Sequence, residues 1–158
     1  MKSFFGFIVI TLLLLSCDEQ RVYEMNTDFE SRYWYVGDKP EFEFVITDSL
    51  GSYNLFCNVR NSLEYPYARI FVTYILRDSA GVLLEKNMVP QLLFDEKTGE
   101  PRGDSGLGDL YDHRITLKTN YRFAYSGKYK VAFEQFMRTD TLPGILAVGL
   151  RVERSDPK

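Results

Sequence analysis

Hydrophobic and polar residues alternate along most of the chain after residue 40. In residues 41–48, Phe42, Phe44 and Ile46 share one face, which is the period of two of a half-buried strand. The alternation recurs in residues 53–60, 68–77, 82–88, 114–118, 121–125, 128–137 and 145–153. No segment has the spacing of an amphipathic helix, and turn-forming residues separate the segments. The pattern predicts an all-β domain, an antiparallel β-sandwich of Ig-like or jelly-roll type with about seven to nine strands.

Three of these segments carry information beyond the alternation itself. Residues 68–77 are apolar on both faces, which predicts a central strand covered on both sides. The turn signal at residues 79–81 predicts that residues 82–88 pair back on it as a hairpin. Residues 53–60 carry two asparagines and an arginine on their polar face.

A long loop interrupts the pattern between residues 95 and 112. It is rich in Asp, Glu, Gly, Pro and Ser, a composition typical of irregular backbone. Loops of this length in compact domains are usually functional or mobile, and we interpret this one as an ordered functional surface. The side chains expected to pack inward are Leu107, Leu110 and Tyr111, and those expected to face solvent are Asp104, Asp109 and His113.

The N-terminus has the features of a secretory signal. After Lys2, an apolar run covers residues 4–15, and as a helix it would measure about 18 Å against a hydrocarbon core of about 30 Å. It is therefore too short to span a membrane and matches the apolar region of a signal peptide. The sequence LLSC at residues 14–17 resembles the lipobox of bacterial lipoproteins, in which the cysteine thiol and the freed amine receive acyl chains such as palmitate. The alternatives to a lipoprotein signal peptide are an ordinary signal peptide and a short buried helix.

These features divide the chain into three parts. Residues 1–16 are a predicted lipoprotein signal peptide, residues 17–32 a lipid-anchored linker without periodicity, and residues 33–158 a single β-sandwich domain. Cys17 is the predicted lipidation site, so the expected location is the cell envelope, with the outer membrane favoured over the inner membrane. The acidic pair after Cys17 resembles the surface-export signal of Bacteroidetes lipoproteins, or is the solvated start of a tether, which leaves the leaflet open.

Composition excludes several classes of function. The 158 residues contain 24 aromatic rings, and the net charge of −3 leaves no basic footprint for nucleic acid. Two cysteines and one histidine exclude a disulfide framework and nearly every zinc site. We predict no cofactor. The expected partners are a membrane, through the lipid anchor, and other envelope proteins.

Candidate catalytic groups are few. His113 lies between Asp112 and Arg114, but a carboxylate adjacent in sequence on an extended segment points to the opposite face, so a surface histidine is favoured over a triad member. Cys57 lies in an alternating strand, which favours a small buried side chain over a reactive thiol. No acid/base pair is singled out, and we predict that the protein is not an enzyme.

Two kinds of binding site fit the remaining residues. Asp104, Asp109 and Asp112 are weak calcium candidates within the long loop, although they lack the spacing of an EF-hand loop. Aromatic residues could form a stacking platform for a sugar or a partner chain, or could belong to the core; they are Tyr33, Trp34, Tyr35, Tyr65, Tyr67 and Tyr111. The predicted contact surface comprises Tyr65, Tyr67, Asp104, Asp109 and His113.

Four segments together resemble one protein family. They are the lipobox ending at Cys17, YNLFCNVRNSLEYPYARIFV at residues 53–72, TGEPRGDSGLGDLYDHRI at residues 98–115, and LPGILAVGLRVE at residues 142–153. They resemble the gliding motility-associated lipoprotein GldH family of the Bacteroidetes in order and spacing. The resemblance implies a lipoprotein that acts by protein contacts in an assembly for gliding and type IX secretion, with no catalytic residue assigned. A β-sandwich module that binds a glycan or peptide is the alternative.

Overall fold

The protein is all-β in a computed structural model that describes residues 20–155. Within that range eleven strands follow one another: β1 Arg21–Asp28, β2 Tyr33–Tyr35, β3 Glu41–Ile46, β4 Tyr53–Ser62, β5 Arg69–Asp78, β6 Leu83–Leu92, β7 Asp104–Ser105, β8 Leu110–Tyr121, β9 Gly127–Gln135, β10 Thr141–Pro143 and β11 Ile145–Arg154. Between residues 20 and 155 no helix is long and apolar enough to cross a membrane.

The strands form two large antiparallel sheets and one small one. The five-stranded sheet has the order β1-β11-β4-β8-β7, the four-stranded sheet has the order β3-β9-β5-β6, and β10 pairs with β2. The inner faces of the two large sheets contribute to a single hydrophobic cluster. The predicted all-β sandwich is confirmed, and so is the β5–β6 hairpin.

The alternation places the core as the sequence predicts. In β3, Phe42, Phe44 and Ile46 are buried while the residues between them are exposed. In β4, the inner side chains are buried, and Cys57 is one of them. Burial raises the pKa of the Cys57 thiol well above its ordinary value, so the thiol is an unreactive part of the core.

The predicted number of seven to nine strands is too low. The strands that lack a hydrophobic alternation of their own are β1, β2, β7 and β10. The predicted short strand or extended piece at residues 121–125 is not a separate strand, because β8 ends at Tyr121 and residues 122–126 are irregular. Phe123 in that irregular segment turns into the core and is buried.

Strand β1 corrects the prediction of a linker over residues 17–32. From Arg21 onward the chain pairs antiparallel with β11, up to Asp28 opposite Ala147. The pattern does not reveal β1 because it is an edge strand whose side chains are mostly exposed on both faces. The signal peptide and Cys17 lie outside the described residues, and their assignment stays a prediction.

The free edges of the four-stranded sheet offer little to a further strand. On β6, the Met88 N–H donates to Oδ1 of Asn87 at 3.0 Å, and Pro90, two residues further on, has no N–H. N–H groups two residues apart point to the same side of a strand. On β3, Glu41 and Glu43 add charge to a strand of six residues. Charges and prolines of this kind hinder edge-to-edge pairing.

Candidate functional site

An exposed apolar region lies on the outer face of the four-stranded sheet. It is a groove of about 630 Å³, which we call the aromatic groove; its lining residues are Tyr67, Phe71, Met88, Phe136, Met137 and Arg138. Phe136 is 66 % exposed although it is a large apolar side chain. Contiguous apolar surface with aromatic and methionine side chains is typical of protein contact sites.

Hydrogen bonds hold the walls of the aromatic groove in place. The Phe136 N–H donates to the Phe71 carbonyl at 2.9 Å, which extends the pairing of β9 with β5 by one residue. The buried Gln135 accepts a hydrogen bond from the Met137 N–H at 2.9 Å and donates to the Thr139 carbonyl at 2.9 Å. The turn that presents Phe136 is therefore fixed from the core side.

The Tyr67 wall rests on a second aromatic ring. Tyr65 packs against Tyr67 edge to face with ring centroids 5.6 Å apart, and it stacks on Phe94 at 6.5 Å. The Tyr65 hydroxyl donates to the Arg69 carbonyl at 3.0 Å. Burial raises the pKa of Tyr65, with a further contribution from Tyr67. Tyr65 therefore supports the groove, and only Tyr67 of this pair is exposed.

The aromatic groove lies far from the start of β1. It is at the end of the sandwich where β9 stops, whereas the start of β9 pairs with the end of β3 and Phe44 of β3 contacts Tyr23 of β1. The nine residues of β9 span about 30 Å at 3.4 Å per residue. The groove and the N-terminus of the described chain are thus at opposite ends.

A polar hollow of about 210 Å³ lies on the outer face of the five-stranded sheet. Its lining residues are Glu24, Asn26, Asn58, Arg60, Asp104, Asp112, His113, Arg114 and Ala147. A small residue of β11, Ala147, forms its floor. Further along β11, a Cβ on Gly149 would lie 1.8 Å from Oδ1 of Asn26, so the missing side chain makes room for Asn26.

Several charged side chains of the polar hollow are held in ion pairs or hydrogen bonds. Arg60 donates from Nε and Nη2 to both oxygens of Asp112 at 2.8 and 3.1 Å, and this pairing raises the pKa of Arg60. Glu24 accepts from Asn58 at 3.0 Å and from Arg151 at 2.6 Å. Burial raises the pKa of Glu24, but these hydrogen bonds and one from Arg21 outweigh burial and leave it below the ordinary value. Fixed donors and acceptors without a large net charge suit a neutral ligand with several hydroxyl groups.

Hydrogen bonds within the long loop hold its first part, but its side chains do not all pack in the predicted way. Asp95 organises its first part, because its carboxylate accepts from the N–H groups of Lys97 and Thr98 and pairs with Arg102 at 2.6 Å. These contacts, with the Arg102 hydrogen bond first, lower the pKa of Asp95. Leu107 is 93 % exposed, so the prediction that it packs inward is wrong. Leu110 and Tyr111 are half-buried, whereas Asp104 and Asp109 are exposed.

His113 faces the interior, which corrects its predicted outward position. It is 6 % exposed and lies opposite Val59 of β4. Strand β8 begins at Leu110, four residues before the predicted strand, and this sets Asp112 and Arg114 outward and His113 inward. Burial lowers the pKa of His113, while Asp112 and Asp104 raise it in part.

The remaining candidates are dispersed. Among residues 20–155 no three His, Cys, Asp or Glu side chains are grouped as metal ligands, and Asp112 of the calcium candidates is held by Arg60. The aromatic platform is also divided, because Trp34 is buried and donates to the Asp38 carbonyl at 2.8 Å while Tyr33 and Tyr35 are exposed.

Of the residues that line the aromatic groove, sequence reasoning singled out Tyr67 and missed the others. The available signal was the apolar pair at residues 136–137, which continues past the last inward position of β9. For the polar hollow the signal was already visible in the polar face of β4, which supplies Asn58 and Arg60.

Comparison with known proteins settles the family. The sequence profile described as GldH lipoprotein matches residues 21–152. The chain belongs to the GldH lipoprotein family. It is 34 % identical to the gliding motility lipoprotein GldH homolog of Christiangramia forsetii, over 98 % of this chain and 96 % of that protein. It is 28 % identical to the gliding motility lipoprotein GldH of Flavobacterium johnsoniae, over 94 % of each chain.

Membership of the GldH family agrees with a lipoprotein of the cell envelope, and neither relative is named as an enzyme. Among solved structures, the infectious bursal disease virus VP2 subviral particle aligns with a TM-score of 0.37 and 15 % identity, over 84 % of this chain and 30 % of that chain. A likeness of that degree says nothing about function.

Proposed function

We propose that this GldH family member is anchored by lipids on Cys17, in the outer membrane, and works by protein contacts within a gliding or type IX secretion-associated assembly. The names of its relatives support a role in motility. The proposal includes no catalytic step. The aromatic groove is the observation that supports this proposal. Covering such an exposed apolar surface with a partner protein removes it from water, which favours binding.

Phe136 is the expected centre of the contact. Its ring is the most exposed of the groove's apolar side chains, and the hydrogen bonds of Gln135 and Phe71 fix its position. Large aromatic side chains held in place before binding lose little conformational entropy and often dominate interface energies. The partner expected here is a protein with an apolar surface.

Photo-crosslinking in the native host tests the contact. A photoreactive amino acid at position 136 is expected to give a discrete protein adduct, and Phe136→Ala is expected to impair motility or secretion without loss of the protein. The matched control places the same amino acid at position 107, which is 93 % exposed in the long loop. An adduct from position 107 alone would assign the contact to the loop and contradict the groove.

A glycan-binding module is the second candidate function, and the polar hollow is what favours it. Its paired charges and amides offer both donors and acceptors to sugar hydroxyls. Neutral mono- and disaccharides are expected to shift the NMR signals of β4 and β8, and Arg60→Ala is expected to weaken that binding about tenfold or more. Lys128→Ala, which removes an exposed ion pair on the other sheet, serves as the control. Unchanged signals with every sugar would exclude this candidate.

A further inference from the structure

The chain is held by the sandwich almost as soon as it leaves Cys17. The Gln20 carbonyl accepts a hydrogen bond from the Arg154 N–H at 2.8 Å, and Arg21 begins β1. Cys17 precedes Gln20 by three residues. Because consecutive Cα atoms are 3.8 Å apart, the Cα atom of Cys17 lies within about 11 Å of that of Gln20. If Cys17 is lipidated, the domain can therefore move only a short distance away from the membrane surface.

The end of the sandwich nearest to Gln20 is formed by three connections, which we call the tethered end. They are residues 47–52 between β3 and β4, residues 79–82 between β5 and β6, and residues 122–126 between β8 and β9. The first is joined to the strand that holds Gln20, since Arg154 donates to Asp48 at 2.8 Å. The other two lie at the same end because β9 starts opposite the end of β3 and pairs with the end of β5.

The tethered end exposes apolar side chains at its tips. Leu50 is 88 % exposed, and Val82 and Leu83 are also exposed at the start of the β5–β6 hairpin. The acidic groups beside these tips are engaged by the protein itself. Asp48 is paired with Arg154, and Asp78 accepts from the N–H groups of Ala80 and Val82 at 3.0 and 2.9 Å. Asp48 is thus neutralised by a cation, and the Asp78 carboxylate is held against the backbone of the hairpin.

We infer that the tethered end seats on the lipid surface, with Leu50 and the Val82–Leu83 tip in the headgroup layer. This inference rests on the proposed lipidation of Cys17. Each headgroup layer is about 5–8 Å thick, and the reach of about 11 Å keeps this end beside that layer. A protein partner would need to enter the narrow space between the domain and the bilayer. The lipid surface is thus the occupant that the chain length favours, and the aromatic groove then faces away from it.

Site-directed spin labelling of the lipidated full chain tests this seating. Leu50→Cys and Val82→Cys place a label at the two tips, and Leu107→Cys places one at an exposed position in the long loop. Cys57 is buried and its thiol has a raised pKa, so it is not labelled in the folded protein. The labelled proteins are reconstituted into vesicles of phosphatidylethanolamine and phosphatidylglycerol, and flotation shows that they are bound.

Accessibility to oxygen and to a water-soluble nickel chelate gives the result. When vesicles are added, the labels at positions 50 and 82 are expected to become more accessible to oxygen and less accessible to the nickel chelate. The label at position 107 is expected to stay accessible to the nickel chelate. If the protein floats with the vesicles and all three labels stay accessible to nickel, the seating is wrong although the anchor is right. If the protein does not float, the anchor fails, and the seating fails with it.

Discussion

Phe123→Ala is expected to lower the free energy of unfolding by about 3–5 kcal/mol, the range for removing a buried phenylalanine ring. Phe123 belongs to no strand, yet its ring contacts four others between the sheets. The centroid distances are 4.5 Å to Tyr129, 4.8 Å to Tyr121, 5.6 Å to Tyr53 and 5.8 Å to Phe44. These partners come from β3, β4, β8 and β9, so the ring joins both sheets. Its loss leaves a cavity that no single strand can close.

Equilibrium unfolding followed by the fluorescence of Trp34, which is buried, measures this effect. Phe136→Ala is the matched control, because the same ring is removed from an exposed position and the expected change is within about 0.5 kcal/mol. A loss below about 1.5 kcal/mol for Phe123→Ala would mean that the neighbouring rings collapse into the space.

Gly144→Ala is expected to cost about 3–4 kcal/mol, for two separate reasons. Gly144 lies between β10 and β11 with φ at 77°, in the left-handed region that penalises a side chain. A Cβ there would also lie 2.4 Å from the backbone nitrogen of Tyr65. Backbone atoms cannot turn aside as a flexible side chain can, so the segment that carries Tyr65 would have to move.

Gly81→Ala separates the two contributions. Gly81 has φ at 83°, but a Cβ added there would meet no atom within 4 Å. It should cost only the conformational penalty of about 1–2 kcal/mol. Thermal unfolding of both variants gives the comparison, and equal losses would refute the clash with Tyr65.

The sequence predicts those strands in which only one face is buried, because one-sided burial produces an alternation of hydrophobic and polar residues. Phe42, Phe44 and Ile46 identify β3 because one face of this strand is buried and the other is exposed to solvent. The same logic fails for β1, since an edge strand exposed on both faces has no reason to alternate. Its position depends on β11, which is more than a hundred residues away along the chain.

The candidate sites were harder to predict because they depend on register and on distant neighbours. The outward position predicted for His113 follows from assigning it to the long loop, whereas in the structure the alternation of β8 includes it and puts it on the same buried face as Ile115. The aromatic groove joins residues from the start of β5, the middle of β6 and the end of β9. No local pattern connects these positions.

The interrupted edge of β6 bears on how copies of the protein would behave on a membrane. With the lipids proposed on Cys17, copies would diffuse in two dimensions and would meet one another more often than they would in solution. An open strand edge under such crowding would invite sheets to join from copy to copy. The occupied N–H of Met88 and the absent N–H of Pro90 interrupt the ladder that such joining requires. Crowded copies would therefore not join through the β6 edge, which leaves that side of each domain free within an assembly.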